Sequence, residues 1–289
     1  MKSEPQWQVE GEDWPNRSAS AFVQAAGFTW HVQIMGDGPP LLLIHGTGAA
    51  THSWRALGPL LARGFRVIAL DLPGHGFTQA PPRQQYALPQ MAAFLAALLA
   101  ELKIEPEHVA AHSAGAAIAI RMALDGSIAP RRIVSLNGAL MPFPGIAAAM
   151  FPALARILFL NPFAAPLLAW RASDPGAVTR LIEGTGSKID ARGLDLYRRL
   201  LRTDRHVGAA IGMMANWDLL SLQRELPRLA VPLLLVAAER DRAVPPRDAD
   251  ALKALFPNAT IFRVKGFGHL AHEEAPELFA GIIADAAAR

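Results

Sequence analysis

Cysteine is absent from all 289 residues of the chain. Its absence excludes disulfides, thiolate metal ligands and a cysteine nucleophile, and it favours a reducing, cytoplasmic compartment. Charged residues are also scarce, at 18% of the chain, whereas 52% of the residues are hydrophobic. This balance argues against disorder and predicts a large buried core.

Two kinds of segment are missing as well. Residues 1–16 have neither the basic start nor the apolar centre of a signal peptide. No uncharged apolar run reaches the ~20 residues that span a membrane, because the longest candidate, 145–170, is interrupted by Arg156 and by prolines. The net charge is only +3 and the arginines are scattered. We therefore expect no transmembrane segment and no nucleic-acid partner.

The first half of the chain alternates between strand and helix patterns. Apolar and polar residues alternate over 27–35, which predicts a half-exposed antiparallel strand after an extended lead-in over 1–25. Continuous apolar runs are typical of strands buried on both faces. The fold class is therefore α/β, with a mostly parallel, doubly wound sheet. The predicted buried strands are 41–44, 65–70, 109–111, 132–136, 232–237 and 261–264.

The alternation stops at Asn137. From 138 to 217 no convincing strand pattern occurs, and proline-punctuated apolar segments are followed by more polar helices. We predict that 138–217 is an inserted helical cap, and that 1–137 and 218–289 are the two parts of one core domain. The cap is expected at the carboxyl edge of the sheet, where open α/β sheets bind their ligands.

The predicted cap is unusually rich in large apolar side chains. Most of them must pack inside the cap or against the core. The surplus indicates a large apolar ligand, or a face that contacts a membrane or a partner protein. The set comprises Met141, Phe143, Met150, Phe151, Leu154, Ile157, Phe159, Leu160, Phe163, Leu167, Leu168 and Trp170.

Ser113 stands between a short apolar strand and a helix of small residues. The segment Ala111-His112-Ser113-Ala114-Gly115 differs from the nucleophile-elbow pattern G-x-S-x-G at its first position, where alanine replaces glycine and is still small. Such an elbow exposes the serine hydroxyl above the sheet. A serine between small residues is also common in turns and helix caps, so this segment alone leaves both interpretations open.

A glycine-rich turn, His45-Gly46-Thr47-Gly48, follows the buried strand 41–44. Glycines let the backbone turn sharply and direct amides into the space above the strand. We predict that the amides of Thr47 and Ala114 form an oxyanion hole, which stabilises negative charge developing in a transition state. The alternative is a simple connecting turn.

Candidates for an acid and a base occur late in the chain, in the order that a catalytic triad requires. Asp241 follows the strand 232–237, which makes it the predicted triad acid, with Glu239 as its rival. His269 follows a glycine on the loop after the last strand and is the predicted base. His272 is the alternative, although we expect it to cap or support the last helix.

Other polar residues invite a functional interpretation but favour a structural one. Asp71 and His75 lie in Asp71-Leu-Pro-Gly-His-Gly, where an aspartate commonly binds turn amides. The spacing of His269 and His272 would suit a metal pair on a helix, but no further ligand set completes it. We therefore predict no metal and no organic cofactor.

Five short segments of the chain, taken together in their order, resemble motifs of the α/β-hydrolase superfamily. The resemblance implies the α/β-hydrolase fold with an inserted helical cap, and catalytic residues in the order Ser113, Asp241, His269, which differs from that of the two common serine protease folds. Because serine occupies the elbow, the aspartate-dependent dehalogenases and epoxide hydrolases of this fold are disfavoured. The matching segments are His45-Gly-Thr-Gly48, Asp71-Leu-Pro-Gly-His-Gly76, His112-Ser-Ala-Gly115, Asp241 with Val244-Pro245, and Gly268-His269.

A narrower resemblance points to the magnesium chelatase accessory proteins of bacteriochlorophyll biosynthesis. It implies a photosynthetic bacterium, chelatase subunits as partners, and a role beside magnesium insertion into protoporphyrin. A flat apolar tetrapyrrole would suit the apolar cap. The segments that carry it are Asp13-Trp-Pro-Asn-Arg-Ser-Ala-Ser20, His45-Gly-Thr-Gly-Ala-Ala-Thr-His-Ser-Trp54, Ser135-Leu-Asn-Gly-Ala-Leu-Met-Pro-Phe-Pro-Gly145, Gly184-Thr-Gly-Ser187 and Gly212-Met-Met-Ala-Asn-Trp217.

Three functional hypotheses follow from the sequence. The first is a serine hydrolase in which Ser113 attacks an ester or related acyl bond of a small apolar substrate, with His269 as base and Asp241 as its partner. The second is a non-catalytic accessory protein that binds a tetrapyrrole, and the third is a hydrolase of carbon–carbon bonds in diketones. Peripheral membrane contact through the cap is compatible with all three.

Overall fold

The computed structural model describes residues 4–81, 85–142, 147–172 and 174–288, and of residues 147–153 and 175 the backbone alone. A sheet of eight strands runs through the described chain, in the order β1-β2-β4-β3-β5-β6-β7-β8. The strands are β1 (Ser20–Ala25), β2 (Phe28–Met35), β3 (Pro40–Ile44), β4 (Arg66–Leu70), β5 (His108–His112), β6 (Arg132–Leu136), β7 (Leu233–Ala238) and β8 (Thr260–Val264).

The sheet is parallel from β4 to β8, whereas β1 and β2 join one edge as antiparallel strands. The predicted fold class, a mostly parallel doubly wound α/β sheet, is confirmed. The structure corrects the predicted lead-in, because its last residues form β1. That strand is largely exposed and lacks a regular apolar alternation, so its sequence carries little of the signal that marks a strand.

Helices cover both faces of the sheet and fill the stretch between β6 and β7. The α-helices are α1 (Trp7–Glu10), α2 (Leu57–Leu61), α3 (Leu88–Leu102), α4 (Ala114–Leu124), α5 (Ala147–Leu160), α6 (Ala164–Arg171), α7 (Pro175–Gly184), α8 (Ala191–Leu201), α9 (Asp204–Asn216), α10 (Leu219–Glu225), α11 (Asp248–Leu255), α12 (Ala271–Glu274) and α13 (Pro276–Ala287). Short 3-10 turns occupy Arg17–Ala19, Thr51–Trp54 and Leu226–Arg228.

Alternate residues of the central strands point into two separate cores. In β3, Leu42 and Ile44 pack in the core that α3 and α4 cover, whereas Leu41 and Leu43 pack in the core that α2 and α13 cover. Because both faces are covered, these strands are apolar throughout, which is why their sequence shows continuous runs.

The helices α5 to α9, which we call the insertion helices, lie between β6 and β7. Of these, α9 packs against α5, α6 and α8. The division of the chain into a core and a separate cap over 138–217 stays a prediction. Among the described residues, no helix is long and apolar enough to cross a lipid bilayer.

The N-terminal segment fastens α8 to the sheet domain. Trp14 is buried in a small cluster with Leu196 and Leu200 of α8. Its indole nitrogen donates to the Thr51 hydroxyl at 3.0 Å. Asp13 forms ion pairs with two arginines of the same helix, including Arg192 at 2.8 Å. One side of the insertion is therefore held by residues from the far end of the sequence.

Candidate active site

Ser113 lies on the predicted sharp turn between β5 and α4. Its backbone adopts φ 52° and ψ −121°, a strained conformation for a residue with a side chain. A Cβ placed on Gly115 would lie 2.7 Å from the His45 carbonyl oxygen and would also meet that of Ile44. Glycine is therefore required two residues after the serine. The buried Ala111 occupies the position two before it.

The amides of Thr47 and Ala114 have the character that an oxyanion hole requires. Within the described residues, neither amide donates to another protein group. Ala114 is the first residue of α4, where amides lack a partner inside the helix. A Cβ on Gly46 would lie 2.8 Å from the Ser113 Cβ, so glycine is what lets this loop approach the serine.

His45 shapes the loop that carries Thr47. Its Nδ1 donates to the Gly46 carbonyl oxygen at 2.7 Å, and its Nε2 accepts from the Leu72 amide at 2.8 Å. Burial lowers the pKa of His45, which favours this neutral form. Both ring nitrogens are hydrogen-bonded to backbone groups, so the imidazole stabilises the turn.

Asp241 and His269 are joined as predicted. The Nδ1 of His269 donates to Asp241 Oδ2 at 2.7 Å, and both residues are buried. The second oxygen of Asp241 accepts from the amides of Ala243 and Val244, each at 2.8 Å. These bonds fix the carboxylate so that it faces the imidazole. Glu239, the rival acid, is exposed.

Two residues that the sequence analysis did not assign hold the loop of His269. Asn137 donates from its side-chain amide to the carbonyl oxygens of Gly268 and His269, at 3.0 and 2.8 Å. His112 donates from Nε2 to the same His269 carbonyl oxygen at 2.9 Å. Asn137 has φ 47°, a left-handed conformation that asparagine tolerates better than most residues. Its position, where the strand–helix alternation stops, was the only signal in the sequence.

No hydrogen bond between Ser113 Oγ and His269 occurs among the described residues. Both residues are nevertheless held by neighbouring residues at the end of β6, Leu136 and Asn137. The Ser113 amide donates to the Leu136 carbonyl oxygen at 3.0 Å, and the next residue, Asn137, holds the His269 loop. A serine–histidine bond is often long in ligand-free enzymes and tightens when substrate binds.

His272, the alternative base, is engaged elsewhere. Its Nε2 lies 2.9 Å from the Ser53 hydroxyl, which donates to Glu273 at 2.6 Å. Tyr197 of α8 donates to the same carboxylate at 2.8 Å, and Arg55 forms an ion pair with it. Burial lowers the pKa of His272 to about 3 and raises that of Glu273. This buried network joins the sheet domain to α8.

Asp71 has the predicted structural role. It accepts from the amides of Thr51 and Phe77, at 2.6 and 2.9 Å. It also pairs with the buried His31 at 2.7 Å, a partner that the sequence did not reveal. The electrostatic and hydrogen-bond contact with His31, together with the other donors, keeps the pKa of Asp71 below its usual range despite burial. The ring of His75 packs against His206 of α9.

A family model described as the alpha/beta hydrolase fold matches residues 39–276, which include Thr47, Ser113, Asp241 and His269. This chain belongs to the α/β-hydrolase family. The predicted family and fold are thereby confirmed.

Individual relatives of this α/β hydrolase narrow the comparison. The chain is 43% identical over 276 residues to the magnesium-chelatase 30 kDa subunit of Rhodobacter capsulatus, covering 94% of this chain and 96% of the relative. An α/β-hydrolase fold protein from Burkholderia ambifaria superposes with a TM-score of 0.78 at 26% identity, covering 92% of this chain and 97% of its own. An esterase from Exiguobacterium antarcticum has a TM-score of 0.77 over 93% and 99% of the two chains, but only 18% identity, so it shares the fold alone.

A cavity of about 310 Å³ lies between the insertion helices of this α/β hydrolase and the segment that joins β4 to α3. Phe159 from α5, Ala165 from α6 and Ile211 from α9 contribute apolar walls, and Tyr86 and Arg205 contribute polar groups. Several residues of the predicted apolar set are instead exposed. Phe143 lies outside the described residues, and so do the side chains of Met150 and Phe151.

Proposed function

We propose that this protein is a serine hydrolase that cleaves an ester or related acyl bond of an apolar substrate, in or beside bacteriochlorophyll biosynthesis. The observation that carries the proposal is the buried 2.7 Å bond between His269 and Asp241, combined with the strained elbow at Ser113. An imidazole held by a carboxylate and a serine on such a turn are the groups that acyl transfer requires.

In the proposed reaction, Ser113 Oγ attacks the carbonyl carbon of the substrate while His269 Nε2 takes the hydroxyl proton. The carbonyl oxygen becomes an oxyanion that accepts from the amides of Thr47 and Ala114. When the carbon–oxygen bond of the ester breaks, His269 gives its proton to the departing alcohol. Water then attacks the acyl-serine, with His269 again as base, and releases the acid.

Each group has a separable energetic role. Asp241 orients the imidazole and stabilises its protonated form, because both of its oxygens are held in place. Each oxyanion donor typically lowers the barrier by ~2.7–4 kcal/mol, because the amide is fixed before the charge develops. The amides of Thr47 and Ala114, which have no protein acceptor in the described part of the chain, support this assignment.

Our proposal for the substrate class is supported by the relative and by the insertion helices. The relative from Rhodobacter capsulatus is named as a subunit of magnesium chelatase, and it aligns over nearly the whole chain. We infer that the substrate is a tetrapyrrole or a similarly apolar compound, and that chelatase subunits are partners. The largely apolar cavity beside the insertion helices supports binding of an apolar ligand there, and its described lining includes neither Ser113 nor His269.

The test is covalent labelling with an alkyl fluorophosphonate and, as a smaller probe, phenylmethanesulfonyl fluoride. We expect stoichiometric labelling that Ser113→Ala abolishes. The matched control is Ser127→Ala, which changes an exposed serine beyond the far end of α4. Failure of both probes to label folded wild-type protein would contradict the hydrolase proposal, and the smaller probe guards against simple exclusion by size.

A second candidate function is a non-catalytic, tetrapyrrole-binding accessory protein of magnesium chelatase. It is favoured by the name of the relative and by the lack of a Ser113–His269 hydrogen bond among the described residues. It predicts that Ser113→Ala binds protoporphyrin as wild type does and supports pigment synthesis in cells. Loss of pigment synthesis with unchanged binding would reject it in favour of catalysis.

A further inference from the structure

The outer sides of α5 and α6 expose large apolar side chains to solvent. Phe163 is 77% exposed, Leu160 is 68% exposed and Ile157 is 65% exposed. Burial of such residues is the main stabilising contribution to folding, so their exposure gives no stability to the free protein. We call this surface the α5–α6 face, and it comprises Leu154, Ile157, Leu160, Phe163, Leu167, Leu168 and Trp170.

The packing of the two helices does not require these residues. Their inner sides already contact α9, where Leu158, Phe159 and Ala165 pack against Val207 and Ile211. The outer residues are additional to a packed helix layer. Their apolar character is therefore better explained by contact with another molecule than by packing within this chain.

The charges on the two helices that form the face are of one sign. The sequence has no aspartate or glutamate between Asp125 and Asp174. Within α5 and α6 the charged residues are Arg156 and Arg171, and both are exposed. Asp174, which follows α6, forms an ion pair with Arg180 at 2.5 Å. The face thus combines apolar side chains with unopposed positive charge along its own helices.

This combination complements a bilayer surface better than another protein surface. Anionic headgroups attract arginines, while the apolar residues reach the boundary with the acyl chains. Tryptophan is enriched at that boundary, and Trp170 is 59% exposed. A second copy of this chain would bring the same two arginines to the contact without an acid from these helices to pair with them.

We propose that the α5–α6 face binds the surface of a bilayer that contains anionic lipid. The contact is interfacial, because the helices would lie in the plane of the headgroups. The proposal does not depend on the chemistry of Ser113. It places the inner sides of the same helices, which line the 310 Å³ cavity, next to the lipid phase. An apolar ligand would then enter from the membrane.

The experiment measures flotation of the full-length protein with two kinds of vesicle, phosphatidylcholine alone and equimolar phosphatidylcholine and phosphatidylglycerol. We expect binding to the anionic vesicles that weakens as salt is added. The combined variant Ile157→Ser, Phe163→Ser, Trp170→Ser should bind more than about tenfold more weakly, because three apolar anchors are lost. Arg156→Gln and Arg171→Gln should each weaken binding about fivefold.

The matched control is Leu255→Ser, Phe262→Ser, Leu278→Ser, which changes three exposed apolar residues on α11, β8 and α13. Circular dichroism and thermal unfolding verify that all variants are folded. Equal binding by the α5–α6 variant and wild type, or equal loss in the control, would overturn the proposal.

Two further outcomes assign the face to another occupant and also overturn the proposal. One is a wild-type dimer in sedimentation that the α5–α6 variant loses, with no vesicle binding. The other is binding to a chelatase subunit, lost in that variant, again without vesicle binding. Ser113→Ala should float as wild type does, so failure here is distinguishable from failure of the hydrolase proposal.

Discussion

The side-chain amide of Asn137 lies 2.8 Å from the backbone carbonyl oxygen of His269. Its carbonyl group also accepts from the Ala238 amide at 2.9 Å, so one side chain joins the end of β6 to β7 and to the loop of the base. Asn137 touches no reacting atom. In the proposed reaction we expect it to act as a positioning residue for His269, because it holds the backbone of that loop.

Asn137→Asp should slow acylation of Ser113 by about tenfold to hundredfold, because a displacement of about 1 Å at a reacting group costs that much. Aspartate retains the acceptor but replaces the donor with an oxygen that repels two carbonyl oxygens. The rate of fluorophosphonate labelling measures the effect. Asn216→Asp, which changes an asparagine bonded only within α9, should leave the rate unchanged. Equal labelling rates in the two variants would show that Asn137 does not position His269.

The two small residues that flank Ser113 should differ in their tolerance. Gly115→Ala would force a methyl group against the carbonyl oxygens of Ile44 and His45, and overpacking of this kind costs ~1–3 kcal/mol. Ala111→Gly removes one methyl from a buried strand and should cost only ~0.5–1 kcal/mol. Urea unfolding measures both. A larger loss for Ala111→Gly would contradict the elbow geometry.

The buried ion pair of Arg55 and Glu273 should contribute far more than a surface pair. The Glu273 side chain is fully buried, so Arg55→Ala should cost ~3–5 kcal/mol by leaving its charge unpaired. Arg263→Ala breaks an exposed pair with Asp250 and should cost ~0–1 kcal/mol. Comparable losses in urea unfolding would show that Glu273 is protonated or solvated.

Stability should fall in mild acid, because burial lowers the pKa values of several histidines, so their protonation opposes folding. Burial lowers the pKa of His206 to about 4 and also lowers the pKa values of His45, His52, His75, His112 and His272. Below about pH 6.5 the unfolded chain takes up protons that the folded chain excludes. The stabilising contribution of these neutral histidines is therefore fully present above about pH 6.5. Below that pH, each such histidine lowers the free energy of unfolding by up to about 1.4 kcal/mol per pH unit, until its pKa in the folded protein is reached.

With several such groups, the protein should be markedly less stable at pH 5 than at pH 7, because total stabilities are only ~5–15 kcal/mol. Urea titrations at a series of pH values measure the slope. His206→Gln should reduce proton uptake on unfolding by about one, whereas Glu12→Gln should not change it between pH 5 and 6.5. A stability that stays flat between pH 7 and 5 would contradict the prediction.

The sequence predicts local features of this fold and site better than long-range ones. The elbow, the glycine turn and the buried strands are short patterns, so Ser113, Thr47 and the runs of β3 to β7 could be recognised directly. Asp241 and His269 could be proposed as acid and base because each follows a strand, and the structure joins the two side chains by a hydrogen bond.

What the sequence could not reveal depends on partners distant along the chain. Asn137 meets a loop 132 residues later, and Ser53 meets Glu273 across 220 residues. Nothing local distinguishes those polar residues from others. The strand β1 was not predicted, because a largely exposed edge strand needs no apolar face and so lacks the alternating pattern that marks a strand.

The anchoring of the insertion helices is uneven. Asp13, Trp14 and Glu273 bind α8, and His206 of α9 donates to the Gly48 carbonyl oxygen at 2.9 Å, within the turn that carries Thr47. Substitution of His206, or of the α8 residues that make these contacts, should therefore disturb the turn that carries Thr47, whereas the described outer residues of α5 and α6 make no such contact. In evolutionary terms, substitutions on the outer sides of α5 and α6 could therefore change the docking surface of a descendant of this chain without altering the residues around Ser113.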